Sequence, residues 1–286
     1  MKNLLSILFL LVALAACTGD DEPIVVPPIV DPVEPPAHVL CGCISWIDDD
    51  FIAFDWSTSE LRPIYRELHD FCMAHNIKPD LARGPFSTPY DKLVPPKQLA
   101  TCLQWQSEGF TFVYHPNHSM GWYNYSTDCP HDATKIEASI VDCFKGFEYY
   151  GFNAPKILVW PGNSAEFPDN YPIVSRHYDC AVSATYDRVN HLADNDRYNL
   201  QRLSFESLAR GYHTKSSFKA RIKNAVDNGD WVIFASHFYD IEQNDVPDET
   251  SYSTANVFEI LLYADSLCHI RPTAEVWAER KWLWEQ

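Results

Sequence analysis

The chain has 286 residues, 46% of them hydrophobic and 14% aromatic, a globular composition long enough to bury a substantial core. Its formal net charge of −17 argues against nucleic acid as a partner and against docking on an anionic lipid surface.

The first segment reads as an address. Met1-Lys2-Asn3 supplies one positive charge, and residues 4–13 form an apolar run too short to span a bilayer comfortably. It ends in Leu14-Ala15-Ala16-Cys17, which resembles the lipobox of bacterial lipoproteins. The resemblance implies a signal peptide over residues 1–16 and a lipid on Cys17, so that the chain is exported and held at the outer membrane through that lipid alone. An ordinary signal peptide is the alternative, and either reading takes the protein out of the cytoplasm. Residues 17–38 then form a tether: Asp20, Asp21 and Glu22, followed by Pro23, Pro27, Pro28, Pro32, Pro35 and Pro36 among valines and isoleucines. Such a stretch stays extended and semi-rigid because it cannot build a core. The acidic residues after Cys17 also resemble a surface-export signal.

Residues 39–286 make the folded domain, with no second linker and no internal repeat. Eight of the nine cysteines fall in it, and in an exported domain one or more disulfides are expected. Cys41 and Cys43 are too close to pair with each other, and no Cys/His spacing matches a structural zinc site.

Strand and helix signals alternate. Residues 44–48 are an apolar strand. Over 59–72 the apolar positions 61, 64, 65, 68, 71 and 72 mark one face of a helix. Residues 96–108 repeat the helical pattern, with a proline suited to the first turn and Gly109 as the cap. Strands are expected at 110–114, 156–160 and 231–235, and helices at 136–150, 217–228 and 254–268. The alternation means a parallel sheet, open or closed.

The chemistry gathers after the strands. Ile44-Ser45-Trp46-Ile47 opens into Asp48-Asp49-Asp50, three adjacent carboxylates whose repulsion calls for a cation or a shared proton. A solvated acidic turn would give the same pattern. The second strand runs into His115-Pro116-Asn117-His118, where Pro116 favours an extended His115 and places His118 one turn into a following helix. Two imidazoles and a carboxylate could then face one cation. The third strand ends in Trp160-Pro161-Gly162, and the late one in Ser236-His237-Phe238-Tyr239-Asp240.

This ordered set is similar to that of the polysaccharide deacetylases, a family of metal-dependent carbohydrate esterases. The similarity covers most of residues 44–278, including 61–77 and 98–109 as the first two helices. It implies a distorted (β/α) barrel of about seven parallel strands, with 39–286 as the catalytic domain. By the same resemblance Asp48 is the catalytic base and His237 the general acid. Asp49, His115 and His118 hold a divalent metal, most often zinc. Trp160, Pro161, Gly162, Arg202 and Phe238 line the groove for an acetylated polysaccharide or oligosaccharide. The reaction would be hydrolysis of N- or O-linked acetyl groups. Tyr239, Trp122, Tyr123 and Tyr125 also follow strand ends and could stack on sugar rings or pack in the core. Trp277, Trp282 and Trp284 lie far from any motif and are expected to close the barrel bottom or seal a helix.

The chain departs from the family pattern in three places. Asp50 stands where glycine is usual, Ser119 where the second histidine is usual, and Val159-Trp160 replace an arginine ahead of the Pro-Gly turn. These departures leave a second reading open, a degenerate scaffold that holds glycans at the cell surface without turnover. A third, a glycosidase using Asp49 with Glu166 or Asp240, leaves the three histidines without a role.

Overall fold

A computed structural model describes residues 41–55, 57–83, 94–116, 132–162, 168–183, 187–191, 196–241 and 248–283. The signal sequence, the tether, His118, Trp122, Tyr123, Tyr125, Glu166 and Trp284 lie outside the described residues. No helix among the described residues is long and apolar enough to cross a membrane.

Seven strands form one sheet: β1 (Cys43–Asp48), β2 (Asp80–Arg83), β3 (Thr111–Tyr114), β4 (Ile157–Val159), β5 (Cys180–Val182), β6 (Leu203–Ser204) and β7 (Trp231–Ser236). The spatial order is β5-β4-β3-β2-β1-β7-β6, and every neighbouring pair is parallel. The sheet curls into a half-barrel with helices outside. β1 and β7 form its backbone, in register from Cys43–Trp231 to Asp48–Ser236. Both are buried at every position, because a parallel strand covered on two faces has no solvent side.

Strand alternation sorts side chains into two apolar layers. On β1, Ile44 and Trp46 join the outer layer, where they meet α1 (Pro63–His75), α2 (Pro96–Ser107), α3 (Ala133–Tyr150), α4 (Lys215–Asp227) and α5 (Thr254–Leu267). Cys43 and Ile47 join the inner layer with Val113, Val159 and Ile233. The last helix, α6 (Thr273–Arg280), adds Val276 and Trp277 to this inner layer. It is latched at the starts of the strands: the Thr273 amide donates to Asp80 Oδ2 at 2.8 Å, and the Arg271 amide to the Ile44 carbonyl at 3.1 Å. Trp277 thus closes the barrel bottom, as its distance from the motifs suggested.

Two expectations are corrected. The helix expected from residue 59 begins at Pro63 instead, because Asp55 Oδ1 accepts from the Ser57 and Thr58 amides and folds that stretch into a turn. A bridge between Phe54 and Leu61 closes the turn. The expected disulfides are absent among the described residues, where Cys41, Cys43, Cys72, Cys102, Cys143, Cys180 and Cys268 are all free thiols. Cys72, Cys102 and Cys143 sit on three separate outer helices and pack as small apolar side chains.

Candidate active site

Inner-face parity carries directly to the strand ends. On β1 the series Cys43, Ser45, Ile47 continues to Asp49, on β3 Val113 continues to His115, and on β7 Trp231, Ile233, Ala235 continues to His237. Arg202 continues Leu200 in the same way ahead of β6. Four polar side chains therefore converge above the inner layer, at the C-terminal edge of a parallel sheet. Asp48 belongs to the opposite face.

Asp49 and Arg202 are both withdrawn from solvent, and Arg202 Nη1 donates to the two carboxylate oxygens of Asp49 at 2.7 and 2.6 Å. Burial would raise the Asp49 pKa, but the Arg202 guanidinium, with His115 and His237, holds it below the ordinary carboxylate range. The Asp49 amide extends the β1–β7 ladder by donating to the Ser236 carbonyl at 2.7 Å.

Asp50 then turns the chain with φ of 51°, a left-handed conformation that aspartate tolerates better than most residues. Its Oδ1 lies 3.5 Å from His115 Nε2 and its Oδ2 lies 3.8 Å from His237 Nε2, so the carboxylate stands between two imidazoles. His115 Nδ1 is 3.0 Å from the Val159 carbonyl. A carbonyl only accepts, so Nδ1 carries the hydrogen and Nε2 is the nitrogen turned to Asp50.

His237 donates from Nδ1 to Glu206, which opens a one-turn helix (Glu206–Ala209) just after β6. Arg210 braces the other Glu206 oxygen at 2.9 Å. Burial would lower the His237 pKa, but the Glu206 hydrogen bond and the charges of Asp49, Glu206 and Asp50 outweigh it and raise the imidazole to about 9. The site thus pairs an ionised carboxylate with a protonated imidazole, the two states a base and an acid require.

Several expected site residues lie elsewhere. Asp48 is sealed from solvent, with Oδ1 accepting from Ser236 Oγ and the Phe238 amide, both at 2.8 Å, and Oδ2 from Tyr65 Oη at 3.0 Å. It cannot touch a substrate lying over the inner layer, because strand parity turns it outward. Asp49, expected on a metal, is held by Arg202, and Arg202, expected in the groove, is fully buried beneath it. Trp160 is likewise fully buried, its Nε1 donating to the Tyr198 carbonyl at 2.7 Å. Phe238 packs in the outer core against Trp46 and Phe258. Pro161 is buried, while Gly162 is exposed with φ of 53°, so of the expected groove residues only Gly162 reaches the surface.

Asp50 was legible in the sequence as the third of three adjacent carboxylates but was given no ligand or catalytic role, and Glu206 was not singled out at all. Parity could have found the first: if Asp49 ends the inner series, Asp50 is the carboxylate of the turn. Glu206 lies 31 residues before its partner, and nothing local announces it. Among the described residues no group of three or more His, Cys, Asp or Glu side chains is arranged to hold a metal ion.

No family model matches the sequence, and no curated protein matches it significantly. Solved structures do resemble the fold. A candidate polysaccharide deacetylase from Mycobacterium smegmatis superposes with a TM-score of 0.54 at 13% identity, over 87% of this chain and 93% of that one. A family 4 acetyl xylan esterase from Clostridium thermocellum, in complex with a cobalt ion, gives 0.49 at 15% identity, over 83% and 91%. A CE4 family pseudoenzyme from Bacillus anthracis gives 0.45 at 7%, over 82% and 64%. The fold is that of the polysaccharide deacetylases: seven parallel strands in a curled half-barrel, as the sequence motifs implied.

Proposed function

We propose that this domain hydrolyses acetyl groups, N- or O-linked, from a carbohydrate polymer or oligomer, with Asp49 as base and His237 as acid. The observation that supports this most is the paired electrostatics, an Asp49 kept ionised by Arg202 beside a His237 kept protonated by Glu206. Asp49 takes a proton from the attacking water as it adds to the acetyl carbonyl. His237, tethered at Nδ1, gives the Nε2 proton to the leaving nitrogen or oxygen, and acetate is released. The roles expected from the resemblance are thereby moved one residue along the chain, from Asp48 and Asp49 to Asp49 and Asp50.

Asp50 Oδ1 and the oriented Nε2 of His115 offer an oxygen and a nitrogen donor of the kind zinc takes; His118, the third ligand implied by the resemblance, lies outside the described residues. A divalent ion held by Asp50 and His115 would supply a Lewis acid for the carbonyl and would acidify the water. The lipobox-like Leu14-Ala15-Ala16-Cys17 supports export and a lipid anchor on Cys17, which intact-mass analysis of the cell-derived protein would test.

The experiment is zinc stoichiometry after loading and desalting, followed by acetate release from a panel of N- and O-acetylated oligosaccharides. About one zinc per chain with acetate release supports the proposal. Zinc without release from any member of the panel would sink the hydrolase reading. Glycan retention with neither zinc nor release would favour the degenerate scaffold.

A further inference from the structure

Asp48 is a fully buried carboxylate that the proposed chemistry leaves unused. Burying an ionisable group is costly, and a residue that only filled space on the outer face of β1 would be apolar, as Ile44 and Trp46 are. No salt bridge to Asp48 is found among the described residues. Its hydrogen bonds come from three neutral donors on two segments far apart in the chain. Ser236 Oγ and the Phe238 amide flank His237 on both sides at the end of β7. Tyr65 Oη comes from α1, and the same hydroxyl accepts from the Ile52 amide at 3.3 Å, two residues after Asp50. Ser236 Oγ also accepts from Trp46 Nε1 at 2.9 Å. One carboxylate thus joins the segment that carries the acid to the turn that carries Asp49 and Asp50.

We infer that Asp48 is a positioning residue, which from behind the sheet fixes His237 and the Asp49–Asp50 turn in one mutual geometry. What those groups do rests on the function proposed above; that Asp48 ties them together does not. Asp48→Leu keeps the γ-branched shape, with two larger methyl groups, and removes every acceptor. Asp48→Asn keeps the carbonyl that can serve Ser236 and Phe238.

The test reads three quantities on both variants: amide exchange in metal-free protein, zinc affinity by chelator competition, and kcat with KM. In Asp48→Leu, exchange over 49–53 and 236–240 should quicken about 10-fold while the rest of the sheet stays within about 2-fold. Zinc affinity should fall about 10-fold. Turnover should fall about 100-fold in kcat with KM within about 3-fold. Asp48→Asn should return each value to within about 5-fold of the wild type. Unchanged exchange in both segments of Asp48→Leu would overturn the inference. So would an Asp48→Asn protein with normal exchange but the turnover of Asp48→Leu, which would make Asp48 a proton acceptor. If the wild type neither holds zinc nor releases acetate, the functional proposal fails while the exchange data still decide the role of Asp48. If Asp48→Leu does not fold, Tyr65→Phe removes one arm alone, and it must quicken 49–53 without 236–240 for the inference to stand.

Discussion

Arg202 and Asp49 are 153 residues apart in the chain and form an ion pair with side chains 0% and 2% exposed. Removing one partner of such a pair leaves the other charge buried and uncompensated, which costs about 3–5 kcal/mol. Arg202→Met should therefore lower the urea midpoint sharply and raise the Asp49 pKa, since the burial that opposes ionisation would remain without its guanidinium. The double variant Arg202→Met/Asp49→Asn should recover much of the stability but none of the activity. Equal stability of the single and double variants would show that the pair is not coupled.

The proposed roles separate cleanly by substitution. Asp50→Ala and His115→Ala should lose zinc on desalting. Asp49→Asn should keep it and lose about 10²–10⁴ in kcat, the range of a missing general base. Zinc retention by all three, measured by metal analysis, would remove Asp50 and His115 from the metal.

His237 gives a pH prediction. Its pKa in the fold, about 9, lies above the ordinary 6.5, so its contribution to stability is full below pH 6.5 and is lost as pH rises through about 9. In metal-free protein an NMR titration of the His237 ring should have its midpoint near 9. In Glu206→Gln the midpoint should move toward 6.5. No movement would mean that Glu206 does not set the charge of His237.

Asp80 runs in the same sense at the other end of the barrel. Burial lifts it from 3.8 to about 7 against the pull of Thr273, and its Oδ1 has no hydrogen-bond partner among the described residues. The folded state holds this proton longer than the unfolded chain. Stability should fall as pH rises from about 4 to 7, by on the order of 1 kcal/mol per pH unit at most from this group. Asp80→Asn should flatten that slope in denaturant titrations at several pH values. An unchanged slope would place the burial cost elsewhere.

Gly42 marks the closest backbone approach at the start of β1. A Cβ there would fall 2.4 Å from Val226 Cα and 2.5 Å from its carbonyl oxygen, so α4 would have to move. Gly42→Ala should destabilise by about 1–3 kcal/mol through overpacking, read as a lower melting temperature with site chemistry otherwise intact.

Much of the architecture was legible without coordinates. The strands near 44, 111, 157 and 231 and the helices between them follow from apolar runs and amphipathic faces that depend only on neighbouring residues. β2, β5 and β6 were missed: β3 and β4 are no longer than β2 and β5, but they lie in the apolar runs 110–114 and 157–160, whereas Asp80, Arg83, Ser183 and Ser204 break the others. The site elements were visible as types: acids after β1, histidines after β3 and β7. The proposed assignment of the acids differs by one residue because an uninterrupted apolar strand does not show which of its faces is inner.

By itself, then, the sequence determined that a parallel α/β domain delivers carboxylates and imidazoles to the ends of its strands, since those signals are local. The tertiary structure decided the rest. Burial on the outer face turned Asp48 into an internal hydrogen-bond acceptor, and buried Arg202 claimed Asp49. Glu206 took His237, and the left-handed turn at Asp50 swung a carboxylate between two histidines. Each is a contact between segments far apart in the chain, and such contacts depend on which face of a curled sheet a residue meets. That choice is made only when the strands pair and the helices cover one side.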